Sequence, residues 1–82
     1  MQLKKTVDLM LSDDYKDRFK AEYHQIMNRA NKLRKLIRDY KQGKIDFEPD
    51  CPIDILIWQL KTMDEYVYIL KRRAEEYENI KL

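Results

Sequence analysis

Cysteine and histidine are nearly absent from this chain: its 82 residues hold one of each, Cys51 and His24. A lone cysteine closes no intramolecular disulfide, and the two together supply too few ligands for a zinc site of the usual Cys/His kind. One unpaired thiol fits a reducing compartment. Glycine and proline are also scarce, and Gly43, Pro49 and Pro52 all fall within ten positions. The chain is therefore interrupted once, and long regular segments are expected on either side. No apolar run approaches the ~20 residues needed to cross a bilayer. The opening segment, Met1 to Leu11, carries Asp8 and has no small-residue cleavage site. These absences predict a soluble, cytoplasmic protein.

Catalytic equipment is missing as well. Ser12, His24 and Cys51 are the nucleophile and base candidates, and no spacing pairs them. Asp13, Asp14, Asp17, Asp64, Glu65, Glu75 and Glu76 fall where solvated helix faces carry acids. No glycine-rich loop is available to cradle a mononucleotide's phosphates. The expectation is a protein that is not an enzyme and carries no cofactor and no metal, with His24 a partly exposed helical residue.

What is present is helical pattern. Ser12, followed by Asp13 and Asp14, reads as an N-cap with acids in the first turn, where the helix dipole favours them. Tyr15, Phe19, Tyr23, Ile26, Ala30, Leu33, Ile37 and Tyr40 then recur every three or four residues, with Gly43 placed to end the helix. Pro52 suits the first position of a second helix, with Asp50 or Cys51 as its cap and Asp54 in its first turn. Leu56, Leu60, Met63, Val67, Leu70, Ala74 and Tyr77 form a second stripe of matching length. The reading is one all-α domain over residues 1–82. An N-terminal segment (1–11), a helix (12–42), an ordered loop (43–51) with Ile45 and Phe47 tucked over the helix ends, and a helix (52–79) make a short N-terminal helix plus an antiparallel hairpin of two long helices, ~40 Å long.

The second helix has more apolar surface than one partner covers, because Ile55, Trp58, Tyr66 and Ile69 lie off its stripe, on a face running toward Arg73. Leu3, Val7, Met10 and Leu11 in the N-terminal segment are expected to dock there, without covering all of it. A chain this short draws only a few kcal/mol from its own core, so the remaining face predicts a homo-oligomer.

Seventeen basic and 15 acidic residues nearly cancel, so local charge matters more than the total. Arg29, Lys32, Arg34, Lys35, Arg38 and Lys41 stand against the single acid Asp39. In the plain reading they form a solvated surface that complements the C-terminal end of the helix. In the functional one they form an anion site, since Arg and Lys donate to phosphates and Tyr15, Tyr23 or Tyr40 offers a ring for a base. Tyr66, Tyr68, Ile69, Lys71, Arg72 and Arg73 make a second cluster. An arginine inside an oligomer interface needs an acid such as Glu65 or Glu76, or a multiply charged ligand at a symmetry axis.

Two sets of residues carry a resemblance. Tyr15, Arg18, Phe19 and Glu22, then Lys32, Leu33, Leu36 and Ile37, run along the first helix; Gln59, Leu60, Met63, Tyr66, Ile69, Leu70 and Arg73 run along the second. Over roughly residues 13 to 77 the chain resembles a family of small proteins from crAss-like and other tailed phages, which includes the anti-CBASS cyclic-oligonucleotide sponges. The resemblance implies a non-catalytic helical protomer that assembles into a hexamer and sequesters cyclic di- or trinucleotides, or both, in the host bacterial cytoplasm. It implies that Tyr15 stacks on a cyclic dinucleotide whose phosphates Lys32 or Arg29 holds. It further implies that three copies of Arg73 hold a cyclic trinucleotide, with Met63 and Tyr66 lining that pocket. Two other readings compete: a helical protein–protein interaction module of phage origin without a small ligand, and non-specific nucleic-acid binding by Arg29 to Lys41.

Overall fold

The computed structural model describes residues 2–44 and 50–82. The expected tucking of Ile45 and Phe47, and Pro49 with them, lie outside the described residues. The chain is a helical hairpin with a short leading helix: α1 (Leu3–Met10), α2 (Tyr15–Lys41) and α3 (Ile53–Arg72), the last running into a π-helical turn (Arg73–Tyr77). Among the described residues there is no β-strand.

Local chemistry sets the helix ends. The cap of α2 is Asp14 and not Ser12: Asp14 has extended backbone and its carboxylate accepts the Lys16 N–H at 2.9 Å. A carboxylate both satisfies an orphan donor and complements the helix dipole, which a hydroxyl does not. Ser12 instead donates to Asp17 at 2.8 Å and accepts the Asp14 N–H at 3.1 Å, so it braces the turn before the helix. At the far end Gly43 takes φ +70°, its N–H bonding Tyr40 O and the Lys44 N–H bonding Asp39 O. This left-handed closure is one that a glycine adopts without steric cost. Pro52 precedes α3 as its cap residue, one position earlier than expected, and neither Asp50 nor Cys51 takes that place.

Three pairings show that α2 and α3 run antiparallel: Glu22 with Tyr66, Arg34 with Asp64, and Phe19 with Arg73. The main buried cluster sits at one end of the hairpin. Phe19 and Tyr23 of α2 meet Leu70, Ala74 and Ile80, and Met27, Val67 and Leu82 pack around them. Ala30 and Ile37 continue the seam toward the loop end.

Tyr77, expected as the last residue of the second stripe, is instead 74 % exposed. The π turn explains this. Its Glu78 N–H reaches back five residues to Arg73 O, one more than an α-helix spans, and the extra residue rotates the downstream chain off the stripe. Asn79 then turns left-handed at φ 51°, the Ile80 N–H bonds Ala74 O, and the Ile80 side chain fills the core.

The leading helix also departs from expectation, because α1 packs on α2 and makes no contact with α3. Thr6, fully buried, donates to Leu3 O at 2.6 Å and accepts from the Gln25 amide at 3.2 Å. Ala21, one turn before Gln25, is fully buried too. A smooth alanine beside an amide donor suits a helix that buries a hydroxyl, since the hydroxyl would otherwise lose its partner to burial.

His24 is half-buried, edge-on to Tyr23 at 5.1 Å, and its buried Nδ1 has no hydrogen-bond partner among the described residues. Burial, reinforced by nearby positive charge including Lys20, holds its pKa below the ordinary 6.5. The fold thus favours neutral imidazole, and below that pH the unfolded chain binds the proton more readily. His24 therefore contributes stability that is complete above pH ~6.5 and drains away as pH falls through the folded value. Urea melts are expected to show the parent losing stability between pH 7.5 and 5.5, and His24→Gln losing less. Equal losses would refute this account of the imidazole.

Candidate functional site

The two long helices diverge on one side and leave an open groove of about 630 Å³. From α2 it takes Glu22, Gln25, Ile26 and Arg29; from α3 it takes Ile55, Trp58, Gln59, Thr62, Met63 and Tyr66. The spacing of each set arises because one helix face contributes every third or fourth residue. The Tyr66 hydroxyl donates to the Glu22 carboxylate, which fixes the ring on the wall. Trp58 is 68 % exposed on the rim. Arg29 is exposed and makes no ion pair among the described residues.

A second hollow of about 370 Å³ adjoins the groove toward the loop end and shares Arg29, Gln59 and Met63 with it. Lys32, Leu33 and Leu36 complete that hollow. Four residues singled out from the sequence thus lie along one depression: Arg29, Lys32, Met63 and Tyr66. The mostly apolar wall with few polar groups is the general character of a small-molecule site.

Tyr15 and Arg73 stand elsewhere. Tyr15 opens α2, half-exposed, one turn before Phe19. It is seventeen residues from Lys32 and fourteen from Arg29 on the same helix, about 25 and 21 Å along the axis. Neither the groove nor the adjoining hollow brings Tyr15 together with either cation among the described residues. Arg73 lies two turns beyond Tyr66, donating from Nε to Glu78 at 2.8 Å with its guanidinium 4.9 Å from the centre of the Phe19 ring. It lines a small hollow of about 220 Å³ with Tyr68, Ile69, Arg72 and Tyr77.

The basic stretch of α2 is partly neutralised within the chain. Arg34 pairs with Asp64 and bonds Asn31, and Arg38 lies 3.7 Å from Asp39. Charge committed to internal carboxylates is less available to a polyanion. Gln25 and Thr62 had no sequence signal, since a single polar residue on a helix looks like solvated surface until its neighbours are placed. Ile55 and Trp58 did have one, as apolar residues off the stripe.

Among the described residues no group of His, Cys, Asp and Glu is placed to hold a metal ion, and no helix is long and apolar enough to cross a membrane. A family model described as Sequestin matches residues 13–76. No curated protein and no solved structure matches the chain.

Proposed function

This chain belongs to the Sequestin family, and on that premise we propose that it is a non-enzymatic phage anti-defence protein that binds and sequesters cyclic oligonucleotide second messengers, blocking CBASS immunity in the host bacterial cytoplasm. Sequestration requires tight stoichiometric capture and no bond chemistry, so a helical chain with arginine, lysine and aromatic side chains on its open faces is equipped for it. Family membership is the observation that carries this reading.

The placement of the residues supports ligand sites between copies of the chain. Tyr15 of one copy stacks on a base of a cyclic dinucleotide while Arg29 or Lys32 of another holds its phosphates, an arrangement that the ~21–25 Å separation along α2 favours. Arg73 from three copies meets the phosphates of a cyclic trinucleotide, with Met63 and Tyr66 contributing to its surroundings. The assembly, by resemblance, is a hexamer. The second reading, a helical module that binds another protein, draws on the exposed Trp58 and the apolar wall around it.

A thermal-shift screen separates the two. A ligand present at 100 times its Kd stabilises the fold by about 2.7 kcal/mol, which for a chain of this size raises Tm by roughly 10 °C or more. Such a rise is expected with at least one cyclic di- or trinucleotide, and not with linear dinucleotides of the same bases or with duplex DNA near physiological salt. No shift with any cyclic oligonucleotide would leave the protein-binding module as the better account.

A further inference from the structure

Five side chains of α3 fall on one line, roughly a third of a turn round the helix from the seam that packs on α2. They are Ile55, Trp58, Thr62, Tyr66 and Ile69, at steps of three, four, four and three. The line reads alike in both directions: isoleucine, aromatic, threonine, aromatic, isoleucine. The four large side chains are all exposed, with Ile55 at 48 % and Ile69 at 54 % at the two ends.

The geometry points to a second copy of this chain as the occupant of that line, its α3 antiparallel to the first across a two-fold axis at Thr62. This rests on the homo-oligomer of the proposed function and adds which surface joins two copies and in what register. A two-fold interface must be self-complementary, each residue i meeting j while j meets i. Here Ile55 of one copy meets Ile69 of the other, Trp58 meets Tyr66, and Thr62 meets its own image. The small threonine at the crossing lets the helix axes approach to the close end of the usual ~8–10 Å, with the aromatic rings packing on either side.

Both hydroxyls on the line are already satisfied, so covering it strands neither. Thr62 donates to Trp58 O at 3.1 Å, and Tyr66 donates to Glu22. Charge favours the antiparallel sense. Asp54 lies in the first turn of α3 and Lys71 in the last, beside an Arg72 already paired with Glu76, so the antiparallel pair sets acid against the Lys71 ammonium at both ends. The same arrangement opposes the helix dipoles and brings Gln59 of one copy beside Glu65 of the other. A parallel pair would place like charges together at each end.

Cysteine cross-linking in the full chain, without ligand and with Cys51→Ser as background, tests the register. A disulfide needs Cα atoms about 4.4–6.8 Å apart, a spacing that facing residues at a close helix crossing meet. Thr62→Cys is expected to give a covalent dimer on oxidation. Ile55→Cys and Ile69→Cys are expected to cross-link when mixed, and far less when oxidised separately. Trp58→Asp is expected to reduce the mass seen by light scattering while the helical circular dichroism stays at the parent's level. Self-linking of Ile55→Cys as strong as in the mixture would overturn the antiparallel register. A parent that is monomeric, or a Trp58→Asp protein of the parent's mass, would overturn the interface itself. If cyclic oligonucleotides still raise Tm while the cross-links fail, the pairing falls and the proposed function stands.

Discussion

Leu70→Ala is expected to destabilise the protein by about 3 kcal/mol, within the roughly 2–5 kcal/mol range for truncating a buried leucine. Leu70 is among the largest fully buried side chains of the described residues, 1 % exposed, and it sits at the centre of the cluster formed by Phe19, Tyr23, Ala74 and Ile80. Those neighbours come from both arms of the hairpin and from the residues beyond the π turn, so no single one can collapse into the void. The stability typical of 82 residues is about 4–12 kcal/mol, which makes this loss a large share of the whole. Urea melts followed by far-UV circular dichroism measure it. A loss under about 1 kcal/mol would mean that the cluster does not hold the hairpin ends together.

Arg73→Ala is expected to weaken cyclic-trinucleotide binding by more than 100-fold while leaving cyclic-dinucleotide binding near the parent's. Charge-assisted bonds contribute roughly 1.5–3 kcal/mol each, and in the proposed assembly three copies act on one ligand. The fold should tolerate the change. Arg73's pair with Glu78 is half-exposed on the arginine side, and such pairs contribute about 0–1 kcal/mol. Its packing over Phe19 adds an amount of the same order. Glu78→Gln supplies the contrast, since it removes the carboxylate that competes with phosphate for Nε and should tighten binding. Tyr15→Ala should act in the opposite sense to Arg73→Ala, costing the dinucleotide a stacking contact of roughly 1–3 kcal/mol per base. Calorimetric titration of each variant, after its oligomeric mass is checked, decides the matter. An Arg73→Ala protein that binds every ring as the parent does would remove Arg73 from the site.

The hairpin was legible because its two stripes obey one period, and Phe19, Tyr23, Ala30, Ile37, Leu70 and Ala74 are all buried on them. Tyr77 failed because counting by threes and fours assumes 3.6 residues per turn throughout. The π turn breaks that assumption and gives the place to Ile80, which no stripe predicted. The docking of α1 was misjudged for another reason. Its apolar residues suit either long helix, and the Gln25 amide, which donates to Thr6 and Met10 of α1, ties it to α2 through polar contacts that an apolar pattern does not encode. At the site, the exposed Ile55, Trp58, Tyr66 and Ile69 were visible as surplus hydrophobicity. That Arg29, Lys32, Met63 and Tyr66 share one depression, while Tyr15 and Arg73 do not, required the crossing of α2 and α3 to be known.

The docking of α1 on a single neighbour makes it separable from the rest of the hairpin. Releasing α1 breaks its own contact with α2 and leaves the α2–α3 seam intact, because nothing of α1 reaches α3. A segment held by one neighbour can open without unfolding the whole, and its opening free energy is bounded above by the global value. Leu3–Met10 thus forms a clasp on α2, tied through Gln25, and amide hydrogen exchange is expected to show it opening without the α2–α3 seam, which would expose that face of α2 in an otherwise intact hairpin.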